Sequence, residues 1–249
     1  MKKRNSHKNF FPFKILVISL ILLTYSLIYL ENIVKIDKFC KVDLRSKNVV
    51  LKGYFALDNP NQPLEYLACA PGSKDYESLL ALYSKPSNIH LALLTIGLEP
   101  KGFITRKRKG VILYFPNPKA SKVKIFVIWQ VKGKIKKRKV ESLIWNKRRN
   151  STFLELAKKG VYTKMYWLFT GSRMVKKYDV HTGKFANKKV YAADVTGTII
   201  GLQYDVNSVL SLPFFIGDKW ENIEAFINPK QVPKAKTKVK VVIMPLKLK

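Results

Sequence analysis

The sequence predicts an α+β fold: a mainly antiparallel β-sheet domain with two short helices, preceded by one N-terminal transmembrane helix. Three observations lead there. An uninterrupted apolar run, Ile15 to Leu30, follows Lys2, Lys3, Arg4, Lys8 and Lys14. Beyond it, apolar runs of strand length recur between Gly, Pro, Asn and Asp punctuation. Only two later segments combine helical spacing with capping residues.

The apolar run would rise about 24 Å as a helix, short of a hydrocarbon core of ~30 Å. Phe10 to Phe13 extend it past Lys14, whose ammonium can reach the headgroups. Export cleavage wants small residues at alternating positions; Glu31-Asn32-Ile33-Val34 has none, and Thr24-Tyr25-Ser26 lies inside the run. The reading is therefore a signal anchor rather than a cleaved peptide. Cationic flanks stay cytoplasmic, so residues 1–14 are expected as a cytoplasmic tail, 15–30 as the anchor, 31–47 as a tether and 48–249 as one external domain. This places the protein, as an expectation, in a bacterial cytoplasmic membrane with a single pass and its large domain on the periplasmic side.

Within the domain, Asn48 to Leu57 reads as a strand ended by Asp58-Asn59-Pro60, and Leu64 to Ala70 as a second. Lys85-Pro86-Ser87 gives a stop and an N-cap; Ile89, Leu93 and Ile96 then recur at helical spacing up to Gly97. Strands follow at Val111 to Phe115 and Val123 to Val131, the latter apolar on both faces and therefore central or sandwiched. Lys132-Gly133 turns it into a Lys-rich edge strand through Ile135 towards Val140. Thr152 with Glu155 forms a capping box for a second short helix ending at Gly160. Met165 to Phe169, Lys189 to Asp194, Thr198 to Tyr204 and Thr237 to Met244 complete the strands, with Thr196-Gly197 expected as a hairpin turn.

Forty-seven Lys and Arg face sixteen Asp and Glu, a formal net charge of +31. Such a surface attracts anionic headgroups, polysaccharides or nucleic acid. Lys dominates, and neither clustered Arg forks nor a recognisable reading module is present, so no specific nucleic-acid partner is expected. The expected partners are the membrane and an envelope protein complex or anionic surface ligand.

Cys40 and Cys69 admit one disulfide, two buried thiols or a reactive thiol. Cys69, Glu77 and His90 form the one set with metal or nucleophile potential, at spacings that match no standard zinc pattern. Asp194-Val195-Thr196-Gly197-Thr198 mimics an aspartyl-phosphate nucleophile loop without the parallel scaffold that chemistry uses. Gly171-Ser172-Arg173 reads as a strand exit in which Arg173 offers an anion-binding side chain. No serine-hydrolase elbow is present and no catalytic residue is assigned.

Four ordered blocks carry a family resemblance: Leu64 to Leu80, with Cys69, Pro71-Gly72-Ser73 and Tyr76-Glu77-Ser78; Pro86 to Leu94, with His90; Trp167 to Arg173; and Tyr191-Ala192-Ala193-Asp194 with Gly197 and Ile200. Together they resemble the YdjY domain family. That resemblance implies an exported or membrane-linked bacterial protein whose family has no established activity. The family pattern usually has His where this chain has Tyr76, and a phenol near pKa 10 cannot replace a histidine base or ligand at neutral pH. Cys69, Tyr76, Glu77, Ser78 and His90 are thus the candidate ligand or structural motif. The expected function is a ligand- or protein-binding module without a cofactor. The alternative is an accessory of an envelope redox or metal system, with a metal held by Cys69, Glu77 and His90.

Overall fold

Strands dominate because β-branched and aromatic residues recur in runs too short for helices. The computed structural model describes residues 18–19, 32–108, 110–162, 165–179, 181, 183–202, 205–214, 216 and 224–246. Apart from Ile18 and Ser19, the expected tail and anchor lie outside these. Among the described residues no helix is long and apolar enough to cross a membrane.

The chain opens with β1 (Ile33–Lys35), β2 (Cys40–Asp43) and β3 (Asn48–Phe55), an antiparallel meander, followed by β4 (Tyr66–Cys69) and β5 (Ser78–Leu82). Helix α1 (Pro86–Thr95) precedes a hairpin of β6 (Phe103–Arg108) and β7 (Val111–Pro116), then β8 (Lys122–Val131) and β9 (Lys134–Lys139). Next come β10 (Ile144–Asn146), β11 (Ser151–Thr152), α2 (Phe153–Lys158) and β12 (Trp167–Phe169). A second hairpin, β13 (Met174–Asp179) and β14 (Lys184–Tyr191), leads into α3 (Ala192–Thr196), β15 (Thr198–Gly201), β16 (Leu210–Ser211), β17 (Ala225–Ile227) and β18 (Lys238–Pro245).

Eight of these strands close on themselves. The hydrogen-bonded order β3-β18-β8-β12-β16-β15-β4-β5 returns to its start because β5 also pairs with β3. The architecture is therefore mainly β, a barrel rather than an open sheet. Of its pairings, β4–β5 and β15–β16 are parallel and the rest antiparallel. At Gly53 one edge of β3 changes partner from β2 to β5, and a Cβ there would run into the Ala81 carbonyl, so the seam needs glycine. The interior is filled with side chains: Leu51, Phe55, Leu80, Leu82, Val127 and Phe169 are all fully buried. An eight-stranded barrel is just wide enough for such a core. Helix α1 adds Ile89, Ala92 and Leu93 to it.

Register around the ring sets the two rims. The starts of β3, β8, β15 and β16 and the ends of β4, β5, β12 and β18 lie at one rim. Helix α1 and the β6–β7 hairpin are inserted between the end of β5 and the start of β8, so they arise there. The β13–β14 hairpin and α3, between β12 and β15, arise there too. Asn32 reaches the same rim, since its carbonyl accepts the Leu44 N–H at 2.8 Å beside the start of β3.

Several expectations hold at residue level. Pro86 takes the first turn of α1, and Gly97 (φ +82°) ends it with the paired bonds Gly97 N–H to Leu94 and Leu98 N–H to Leu93. Both halves of the Thr152–Glu155 capping box are present, and Lys132-Gly133 turns β8 into the edge strand β9 with both residues at positive φ. Others need correction. Helices number three among the described residues, because Ala192 to Thr196 winds into α3 instead of continuing a strand. Gly197 (φ +73°) is its left-handed C-cap, not a hairpin turn. Lys85, not Ser87, is the N-cap of α1.

Residues 31–47, expected as a tether, supply β1 and β2 of the main sheet. Asp37 explains why: it accepts the Phe39 and Cys40 amides at 2.6 and 2.8 Å, the Ser84 hydroxyl at 2.6 Å and the Asn88 amide at 2.8 Å. Burial works against its charge, but those four bonds outweigh it and hold its pKa below the usual value.

Candidate functional site

Tyr54, Ala81 and Cys69 lie side by side on the outer face of β3, β5 and β4. Residues 70–77 fold back over them. Asp75 organises the fold-back: Oδ2 accepts the Tyr54 hydroxyl at 2.8 Å, and Oδ1 accepts the Gly72 N–H at 2.8 Å while facing Cys69 Sγ at 3.7 Å. Burial pushes the Cys69 pKa up; Ser78 opposes it and the Asp75 charge adds to it. A protonated, sealed thiol is a poor nucleophile and a poor metal ligand at neutral pH. Cys40 is also free and buried, in the core under β2, its pKa pushed up to about 12 mainly by burial. Glu77 and Ser78 are buried, Glu77 pairing with Lys74 Nζ at 2.8 Å. Tyr76 points outward, 60% exposed.

His90 sits elsewhere. Its Nδ1 is 2.7 Å from the Tyr191 hydroxyl, which donates to the Gly171 carbonyl at 2.9 Å. A phenol has one hydrogen, so His90 Nδ1 carries the proton of the first bond. Phe169 and Tyr191 both meet the ring edge-on. Burial holds the His90 pKa below its usual value, against a raising contribution from Gly171. Gly171 (φ +85°) is packed on Pro100 and His90 with no room for a Cβ. Ser87, His90, Ser172, Arg173, Met174 and Tyr191 line a shallow cavity of about 360 Å³ there. Arg173 is not free within it: its Nε donates to Asn207 at 3.0 Å.

Helix α3 joins the two places. Asp194 Oδ1 accepts the Ser87 N–H at 2.9 Å and Oδ2 meets Lys85 Nζ at 3.2 Å, so the aspartate caps α1 from a distance. Ala193 N–H donates to Ser172 Oγ at 3.1 Å, and the Gly197 carbonyl accepts from Ala70 at 2.7 Å. The phosphatase-like Asp194 segment is thus a clamp between blocks distant in sequence. Cys69 and Glu77 belong to one of those places and His90 to the other. Among the described residues no three His, Cys, Asp or Glu side chains converge as a metal-binding group.

A family model described as YdjY domain matches residues 40–244. This chain belongs to the YdjY domain family. No curated protein and no solved structure matches it. The match begins at Cys40, inside the stretch expected as a tether and in agreement with β2 being part of the YdjY fold.

A groove of about 640 Å³ that sequence reasoning missed lies on the outer face of β3, β18 and β8 of this YdjY domain. Lys52, Lys238 and Lys240 line it together with Phe39, Tyr83 and Ile128, and no carboxylate is among its lining residues. Phe39 and Tyr83 pack with ring centroids 4.9 Å apart, and Lys52 lies directly across the ladder from Lys240. Alternation in Lys238-Val239-Lys240-Val241 already turns the lysines outward. What alternation cannot show is that β18 lies beside β3.

Proposed function

We propose that this YdjY domain protein is held by its N-terminal segment in a bacterial cytoplasmic membrane, with its barrel on the periplasmic side, and binds an anionic ligand in the groove across β3, β18 and β8. The groove carries this reading: Lys52, Lys238 and Lys240 stand beside Phe39, Tyr83 and Ile128, with no acid among the lining residues. Because the barrel interior is filled, a ligand has to sit outside it. Lysines supply charge attraction that salt screens, and the Phe39–Tyr83 pair supplies a face for an apolar surface, a combination suited to an acidic oligosaccharide. The redox or metal alternative asks Cys69, Glu77 and His90 to act together, and nothing in their surroundings favours it.

Calorimetric titration of the full chain in mild detergent with oligogalacturonate tests the binding. Saturable binding that weakens with salt and falls at least about tenfold in Lys52→Ala/Lys240→Ala is expected, which corresponds to about 1.4 kcal/mol. Equal binding of the neutral oligosaccharide, or none of either, would refute it. Protease added to spheroplasts tests the topology: the barrel should be digested, and its protection would overturn the placement.

A further inference from the structure

Two ribbons stand off the barrel. Among the described residues, each strand of β6–β7 and β13–β14 pairs only with its hairpin partner, so each ribbon keeps two open edges. Two-stranded ribbons are marginal in water without a surface to pack on. These also expose large apolar side chains: Val111 is 59% exposed, Ile112 55% and Phe185 64%, with Leu113, Tyr114, Met174 and Tyr178 beside them. Cations accompany them. Residues 101–116 contain Lys101, Arg106, Lys107, Arg108 and Lys109 and no acid; residues 173–191 contain Arg173 and five lysines against Asp179 alone.

Both ribbons are rooted side by side at one rim. Gly102, at the base of the first, donates its N–H to Thr170 at 2.9 Å, and Gly171, just before the second, packs on Pro100. That rim is also where Asn32 enters the fold, immediately after the cationic and apolar segment that ends at Leu30. With β1 beginning at Ile33, only two residues separate the end of that run from the sheet. Mixed cationic and apolar surfaces with tyrosine are the composition of the interfacial zone of an anionic bilayer.

We infer that the β6–β7 and β13–β14 ribbons are membrane-lying arms that place Val111 to Tyr114 and Phe185 in the interface of an anionic bilayer, so that the barrel rests rim-down on the membrane. This inference rests on the anchored reading above. The second ribbon's root is the His90–Tyr191–Gly171 node, which ties the arm to α1.

The test places one polarity-sensitive fluorophore at Leu113→Cys in the full chain; Cys40 and Cys69 are buried and escape labelling under native conditions. A second chain carries it at the exposed Lys158→Cys of α2, before β12 and towards the opposite rim. Both are reconstituted into phosphatidylethanolamine–phosphatidylglycerol vesicles and into phosphatidylcholine vesicles. The 113 label should shift to the blue and resist aqueous iodide in the anionic vesicles only, the 158 label in neither, and Arg106→Ser/Lys107→Ser should reverse the shift. Retention of the chain after alkaline carbonate washing with a water-exposed 113 label would sink the inference and leave the anchor standing. Loss of the chain on washing would remove both. Shielding of residue 113 in detergent alone, rising with protein concentration, would assign the ribbons to a second copy and overturn the bilayer.

Discussion

β8 of the barrel and β7 of the first ribbon are built from nearly the same residue types, yet they end in opposite environments. Val123, Ile125 and Val127 of β8 are buried, while Val111, Ile112 and Leu113 of β7 face solvent. β8 has β18 and β12 on its flanks and a filled interior beneath; β7 has only β6. Composition makes a segment willing to be a strand, and closure decides whether its side chains contribute to stability. The cohesion of the molecule should therefore lie in the ring and its α1 lid, with the ribbons nearly neutral.

The sharpest break of that comparison is Phe55→Ala. Phe55 is fully buried and meets Trp129 edge-on at 5.4 Å. Its truncation should cost about 3–5 kcal/mol, read by urea denaturation in mild detergent. Leu93→Ala on α1 should cost about 2–5 kcal/mol, and a value as small as that of a ribbon residue would show that the helix is not part of the closure.

Two titratable groups sharpen the picture. Glu141, buried and accepting the Trp167 indole N–H at 2.9 Å, has its pKa raised by burial, which outweighs the Trp167 bond. A carboxyl whose folded pKa is raised favours folding most below its unfolded value of 4.5, and that benefit is lost as pH rises through the folded pKa. Glu141→Gln should accordingly raise the melting temperature at pH 8 and leave it unchanged or lower at pH 4.

For His90 the folded pKa is depressed by burial, so the unfolded chain takes up its proton first. Stability should fall as pH drops through the unfolded value of 6.5, and His90→Gln should flatten that part of the profile. An unchanged profile would place the ring's environment elsewhere. The smallest effect is expected in the ribbons. Ile112→Ser in detergent should change stability by no more than about 0.5 kcal/mol, and a larger loss would mean that the ribbon is packed on something.

Local features were legible where local chemistry decides them. Pro86 and Gly97 bracket α1, Thr152 and Glu155 start α2, and alternation along Val123 to Trp129 separates core from surface. Ser78 to Leu82 escaped because all five residues are buried, leaving no alternation to read. β1 and β2 escaped because their short, charged stretch is ordered by Asp37 binding Ser84 and Asn88, about fifty residues away. Closure itself depends on β3 meeting β18, a pairing across most of the domain. The site divides in the same way. His90 and Tyr191 both stand in the recognised blocks, but their hydrogen bond spans a hundred residues, and nothing local separates His90 from Cys69 and Glu77.

The position of β18 carries a consequence for biogenesis. Residues 238–245 are the last described strand in chain order, yet in the ring they lie between β3 and β8. A polypeptide emerging from its N-terminus would deliver every other barrel strand before this one. Until it arrives, β3 and β8 present open edges to whatever is nearby. Such a non-local closure is slow and exposes the chain to misassembly while it waits. Completion of the fold therefore waits on delivery of this strand, and a chain ending before Lys238 would leave those edges open rather than form a shorter version of the protein.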